Sequence, residues 1–283
     1  MTNITYSKMN SQGNNFILVD SSISKAELSS ELVESFLIKN IEFDQLLYVE
    51  LSKPDKLVLC SILNRDGSIA KQCGNGLRAI MLYFNTRYGY ENITIDVCGS
   101  LYKVEFSGPE NIIVQMGKTQ PLAISEKQGK NVIAVEQLYK QSLHVDGIPE
   151  AVVFYLVDVG NRHCVIIEQQ PPDHKNKIIQ YLNKNYSNQF NVEFLENLPE
   201  FIEGNTQTLV LSVYERGAGW TDSCGSGATA AACIIFEDYS EISLTGDILV
   251  KQKGGLLSVS RESNGLLCLS GPSTLEFEAT INV

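Results

Sequence analysis

Two of the seven cysteines open a Cys-Gly-x-Gly run. Cys73 opens the run Cys73-Gly74-Asn75-Gly76 and Cys224 opens Cys224-Gly225-Ser226-Gly227, and each run leads into an apolar stretch of helical length. Glycine admits backbone angles closed to other residues and lets a ligand approach the main chain. The first turn of a helix leaves backbone N–H groups without partners at the positive end of the helix dipole. A carboxylate is a natural guest there. The same field favours thiolate over thiol, drawing a cysteine from about 8.5 toward neutrality. Each run therefore offers a reactive sulfur beside an anion cradle. Two such turns facing each other would flank a small carboxylate-bearing molecule. One sulfur, as thiolate, would take a proton from carbon, and the other, as thiol, would return one to the opposite face. The outcome is inversion at carbon, with helix-start N–H groups stabilising charge on the carboxylate. This chemistry needs no pyridoxal phosphate, and neither a cofactor nor a metal is expected. A single Cys-Gly pair is ordinarily a buried structural thiol; the repetition is what points to catalysis. Two nucleophiles or a redox pair are further readings that the cysteines alone allow.

The elements that position these residues recur as well. Gly13-Asn14-Asn15-Phe16 precedes the first cysteine run and Gly160-Asn161-Arg162-His163 precedes the second. Gly13 lies 60 residues before Cys73, and Gly160 lies 64 before Cys224. Two motifs repeated in the same order at nearly the same interval imply two homologous halves. Apolar, β-branched runs at Lys56–Leu63, Ile93–Val97, Ile112–Met116, Ala151–Val159 and Thr208–Tyr214 predict strands. Leu77 to about Tyr88 and Ala228 to about Tyr239 predict helices that are apolar on most faces, and such helices are buried. The expected fold is α/β (α+β), with two pseudo-symmetric domains. Each is a sheet wrapped around a central apolar helix, and the active site lies in the interdomain cleft. The halves are expected to close on substrate and expel water.

Composition narrows the partners. With 22 Lys and Arg against 33 Asp and Glu, the net charge of −11 repels nucleic acid and anionic membranes alike. No apolar run nears the roughly 20 residues of a membrane span, and the polar start, Met1 to Asp20, lacks the apolar core of a secretion signal. No two of the cysteines form C-x-x-C, which disfavours zinc. Reduced thiols in a cytoplasmic protein are the expectation.

These residues resemble the diaminopimelate epimerases. The segments that carry the resemblance are Lys8-Met9, Gly13-Asn14-Asn15-Phe16, Phe43-Asp44-Gln45-Leu46-Leu47, Asn64-Arg65-Asp66-Gly67-Ser68 and Cys73 through Arg78. The second half adds Gly160 through Val165, Asn191, Tyr214-Glu215-Arg216-Gly217-Ala218-Gly219, Cys224 through Gly227 and Gly271-Pro272. The resemblance implies cofactor-free inversion of one α-carbon of a diamino dicarboxylic acid, by a homodimer. It implies an N-terminal half of residues 1–121 plus 272–283, with the C-terminal strand returning to it, and a C-terminal half of residues 122–271. It makes Cys73 and Cys224 the two bases. Asn14, Gly74, Asn75, Glu215, Gly225 and Ser226 would hold the reacting end of the substrate. Asn64, Asn161, Asn191 and Arg216, with Gln45 nearby, would hold the remote end. Arg216 suits a second carboxylate as a bidentate clamp. His163 matches a position near the reacting centre, as proton carrier or structural hydrogen-bonder, and Glu215 has the alternative of pairing with Arg216. Asn15, Arg162 and Trp220 depart from the family pattern of aspartate, proline and a small or acidic residue. They bear on substrate choice and rate. The other readings are a racemase of another amino acid on the same fold and a non-catalytic relative that binds amino acids.

Overall fold

The computed structural model describes residues 3–24, 26–52, 55–121, 133–134, 140–186, 189–197, 207–238 and 246–282. Tyr239, the expected end of the second apolar helix, and residue 122, the expected start of the second half, lie outside the described residues. The chain forms two compact units, Met1–Gln115 with Leu269–Val283 and Met116–Cys268. It is mixed α/β and dominated by sheet.

In the first unit a sheet runs Asn3–Ser11, Asn14–Asp20, Gln45–Ser52, Leu57–Asn64, Asn92–Val97, Ser100–Phe106. Successive neighbours pair antiparallel, parallel, antiparallel, parallel and antiparallel. The last strand, Thr274–Asn282, pairs antiparallel with Asn3–Ser11. Helix α1 (Ser30–Ile38) joins the second strand to the third, and helix α2 (Gly74–Tyr88) leads into Asn92–Val97. The second unit repeats this plan. Its strands run Val152–Asp158, Arg162–Ile166, Asn191–Leu195, Gln207–Glu215, Ile248–Gln252, Gly255–Arg261, with the same alternation of pairing. Helices α3 (Pro172–Asn185) and α4 (Gly225–Asp238) occupy the places of α1 and α2.

The parallel pairs explain why the strands read as unbroken apolar runs, since both faces are covered. Ile17 and Val19 join Leu32, Val33 and Phe36 of α1 in one core, while α2 packs against the same sheet. In the second unit Cys164 and Ile166 join Ile178, Ile179 and Leu182 of α3, and α4 packs against Val152–Asp158, Arg162–Ile166 and Asn191–Leu195. Every residue of α2 from Gly74 to Phe84 is buried, as is every residue of α4 from Gly225 to Phe236. The expected apolar helices are thus the central ones. Helices α1 and α3, which the sequence did not make evident, cover the opposite face.

Candidate active site

In the first unit Cys73 is the N-cap of α2, with extended backbone at φ −153° and ψ 98°. Its Sγ accepts the Gly76 N–H at 3.3 Å, and its carbonyl accepts the Leu77 N–H at 3.0 Å. The cap thus fixes the sulfur over the first turn of the helix. A side chain at Gly76 would bring Cβ to 3.1 Å from Leu47 Cδ2. Asn14 follows a two-residue hairpin turn whose residues, Gln12 and Gly13, have φ of 55° and 89°, the left-handed pair that a type I′ turn requires. Asn14 Oδ1 accepts Asn75 Nδ2 at 2.6 Å, and Asn75 Oδ1 accepts Arg78 Nη2 at 2.9 Å. Arg78 is fully buried and also donates Nε to the Pro272 carbonyl at 3.3 Å. Burial lowers its guanidinium to about 10 and Cys73 opposes the shift, so it is a cation at neutral pH. Gln45 and Asn64 face each other across adjacent strands, Gln45 Nε2 donating to Asn64 Oδ1 at 2.9 Å. The unusual Asn15 accepts from buried Lys8 at 3.0 Å and from Asn10 at 3.2 Å through Oδ1, while its N–H donates to Asp44 at 2.7 Å.

In the second unit Cys224 makes the same pair of contacts at the start of α4. Its Sγ accepts the Gly227 N–H at 3.3 Å and its carbonyl accepts the Ala228 N–H at 3.0 Å. Ser226 Oγ lies 3.4 Å from the sulfur. Gln252 clamps the main chain of Cys224 from both sides, accepting its N–H at 2.6 Å and donating to its carbonyl at 3.0 Å. At Cys224 the pull of the helix start toward thiolate is outweighed. Burial first, then the carboxylates of Glu215 and Glu193, push the Cys224 thiol well above its ordinary value. The contacts from Ser226 and Gly227 act the other way and are smaller. Desolvation and two negative charges outweigh the helix terminus, so Cys224 rests as a thiol.

His163 is fully buried, with Nδ1 at 2.6 Å from Glu193 Oε1 and Nε2 at 2.9 Å from Asn161 Oδ1. Glu215 ends the strand Gln207–Glu215 and accepts from Thr221 Oγ1 across the turn. Burial raises its carboxyl, opposed by the Thr221 hydroxyl, His163 and the Cys224 thiol. Its hydroxyl partner is thus Thr221, while Asn191 Oδ1 accepts the backbone N–H of Arg216 at 2.9 Å and leaves the Arg216 side chain exposed. Arg162, in place of proline, donates to Gln189 at 2.7 Å. Trp220 is 47% exposed and packs on Phe194 and Tyr214, with ring centroids 5.9 and 5.7 Å apart.

The first unit therefore joins Cys73, Asn75 and Asn14 around one helix start, with Gly74 in its first turn, and couples Gln45 to Asn64. The second gathers Ser226, Glu215 and Gly225 around Cys224, links Asn161 to His163, and sets Asn191 beneath Arg216. Three residues were not singled out from the sequence: Arg78, Gln252 and Glu193. Arg78 lay inside the cysteine motif. Glu193 had a weaker signal, a lone charge in the strand Asn191-Val192-Glu193-Phe194-Leu195, which is buried throughout.

The profile of the family described as diaminopimelate epimerase matches residues 6–122. A diaminopimelate epimerase of Legionella pneumophila subsp. pneumophila is 30% identical to this chain, over 98% of it and 99% of the relative. One from Blochmanniella floridana is 27% identical over the same shares. Among solved structures, a hydroxyproline epimerase from Agrobacterium vitis with bound trans-4-hydroxy-L-proline aligns at a TM-score of 0.66 and 10% identity. The alignment covers 99% of this chain and 94% of that one. A PhzF-family phenazine biosynthesis protein from Bacillus anthracis aligns over 100% of both chains at a TM-score of 0.66 and 12% identity. These two distant likenesses speak for the fold; the near-full-length relatives speak for the family, and this chain belongs to the diaminopimelate epimerases.

Proposed function

We propose that this chain epimerises LL-2,6-diaminopimelate to meso-diaminopimelate with Cys73 and Cys224 as the two bases and without pyridoxal phosphate. The observation that carries the mechanism is the matched pair of helix starts, where each sulfur accepts the N–H three residues on at 3.3 Å. In the reaction Cys73, as thiolate, takes the α-proton on one face of the substrate. The electron pair left on carbon spreads into the adjacent carboxylate, whose oxygens accept N–H groups at the helix starts. Cys224, as thiol, delivers its proton to the opposite face, and the pair ends with thiol and thiolate exchanged. The buried thiol at Cys224 supports its assignment as the resting donor. Asn14, Gly74, Asn75, Glu215, Gly225 and Ser226 hold the reacting end. Asn64, Asn161, Asn191 and Arg216, with Gln45, hold the remote end, where the exposed Arg216 guanidinium suits the second carboxylate. The enzyme works as a cytoplasmic homodimer supplying lysine and peptidoglycan synthesis. Half-exposed Trp220, five residues from Glu215, favours a second reading in which the substrate is a different amino acid.

The test is incubation of reduced protein with LL-diaminopimelate in deuterium oxide, with Cys73→Ala and Cys224→Ala alongside. Deuterated meso product from the wild type and none from either variant is expected. A wild type that neither epimerises nor exchanges this substrate would transfer the assignment to another amino acid.

A further inference from the structure

The two units repeat one plan, and what occupies equivalent places differs at one point. In the first unit Phe16 lies opposite Gln45 on parallel strands; in the second, His163 lies opposite Asn191 in the same way. Two residues on from Gln45 and Asn191 come Leu47 and Glu193. Each sits under the first turn of its central helix. A Cβ at Gly76 would lie 3.1 Å from Leu47 Cδ2, and a Cβ at Gly227 would lie 2.7 Å from Glu193 Oε1. The apolar pair Phe16 and Leu47 of one unit is thus replaced by the pair His163 and Glu193 of the other, and both members are fully buried.

A buried carboxylate must be paired. Glu193 Oε1 lies 2.6 Å from His163 Nδ1, and Oε2 meets no hydrogen-bond donor among the described residues. The other ring nitrogen faces a second oxygen, Asn161 Oδ1, at 2.9 Å. A carboxylate only accepts, so the ring donates to Glu193 from Nδ1. In the first unit the Asn of the equivalent Gly-Asn turn is held in the same sense. Asn14 Oδ1 accepts from Asn75, which is anchored by the buried cation Arg78. Both turn asparagines therefore turn their oxygen toward a buried side chain, which leaves the amino group for another acceptor.

We propose that Glu193 is a positioning residue for this site, anchoring the His163 ring through Nδ1 so that Nε2 holds the Asn161 amide with its oxygen inward and its amino group toward a substrate carboxylate. The proposal deepens the epimerase reading and rests on the place given there to Asn161. The titratable groups around the imidazole are Glu193, Glu215 at the end of the strand Gln207–Glu215, and Cys224 at the start of α4. The neighbouring strand Val152–Asp158 places Val157 opposite it.

Two measurements test it. In protein carrying His144→Gln and His174→Gln, His163 is the sole histidine. Nitrogen-15 NMR is expected to show its Nδ1 protonated in the folded protein. A ring protonated on Nε2 alone overturns the proposal whatever the variants do. Glu193→Gln weakens the anchor at Nδ1, and Glu193→Leu, which places there the residue type of the other unit, removes it. KM for diaminopimelate is then expected to rise roughly tenfold or more in Glu193→Leu and less in Glu193→Gln, with kcat less affected. A folded variant whose KM is unchanged, or whose kcat falls as far as its KM rises, overturns the proposal, since the anchor acts through Asn161 on binding of the remote carboxylate. Absence of turnover by the wild type would refute the epimerase reading instead, and the NMR measurement would still decide the state of His163.

Discussion

Glu215 is held in a place that suits a carboxylic acid better than a carboxylate. Burial raises its carboxyl, and the Thr221 hydroxyl and the charge of His163 recover only part of the loss. A carboxyl raised by folding is stabilised in its protonated form, so its contribution is present below the unfolded value and is lost as pH climbs through the folded one. At neutral pH, where the unfolded carboxyl ionises, that contribution is therefore lost. Glu215→Gln keeps the shape without the charge and is expected to raise Tm at pH 7, with the advantage over wild type vanishing in acid below the unfolded carboxyl's range. The same variant is expected to lose activity by roughly one to two orders of magnitude, the scale of a lost charged hydrogen bond to the reacting end of the substrate. Thermal melts across pH, paired with turnover, check both arms. A variant that melts at the wild-type temperature throughout would mean that Glu215 is not strained by its surroundings. Cys224 shares this environment, which is why the helix start at that cysteine does not yield the resting thiolate that the dipole alone would suggest.

The two central helices begin alike and tolerate different changes. Gly76→Ala would press Cβ against Leu47 Cδ2 at 3.1 Å, the end of a flexible side chain that can turn aside. Gly227→Ala would press Cβ to 2.7 Å from Glu193 Oε1, in a carboxylate tied to His163. Overpacking of this kind costs about 1–3 kcal/mol, and the larger cost is expected at Gly227, read as a lower urea midpoint. Equal losses in the two variants would show that Glu193 yields as easily as Leu47. This asymmetry was out of reach of the sequence, where the glycines look interchangeable. Much else at this scale was legible: the expected strand Lys56–Leu63 forms as Leu57–Asn64, and Ala151–Val159 as Val152–Asp158. The helix starts follow from the cysteine runs, because an all-apolar stretch after two glycines has few places to go but a buried helix. The outer helices were harder to read. Helix α3 buries Ile178, Ile179 and Leu182 along one stripe and leaves the rest polar, so its signal is diluted by PDHKNK at its start. In the candidate site, the charged groups that tune Cys224 come from separate strands, and only folding brings Glu193 beneath Gly227.

Buried thiols couple the whole molecule to alkali. Burial pushes Cys60, Cys164 and Cys224 well above the ordinary thiol value, and raises Cys233 to about 11. Nearby Glu193 adds to the shift at Cys164 and Cys224. A thiol raised by folding stays protonated in the native chain while the unfolded chain ionises, so its stabilisation is complete below pH 9 and is lost as pH rises toward the folded value. Each such group can remove at most about 1.4 kcal/mol per pH unit. Three of these four thiols lie in the unit Met116–Cys268 and one, Cys60, in the other. Of the raised tyrosines, Tyr6, Tyr48, Tyr83 and Tyr88 belong to the first unit and Tyr186 to the second, and their ordinary value is 10.0. Below pH 10 the shifted groups of the second unit that titrate are therefore its thiols, and they should act mainly there. The chain's single tryptophan, Trp220, lies in that unit and reports on it. Urea unfolding followed by Trp220 fluorescence is expected to lose midpoint steadily from pH 8.5 to 10, with Cys164→Ala showing a shallower decline than wild type. A midpoint that does not move over that interval would mean that the buried thiols ionise in the folded chain as readily as in the unfolded one, and that the environment holding Cys224 as a proton donor is absent.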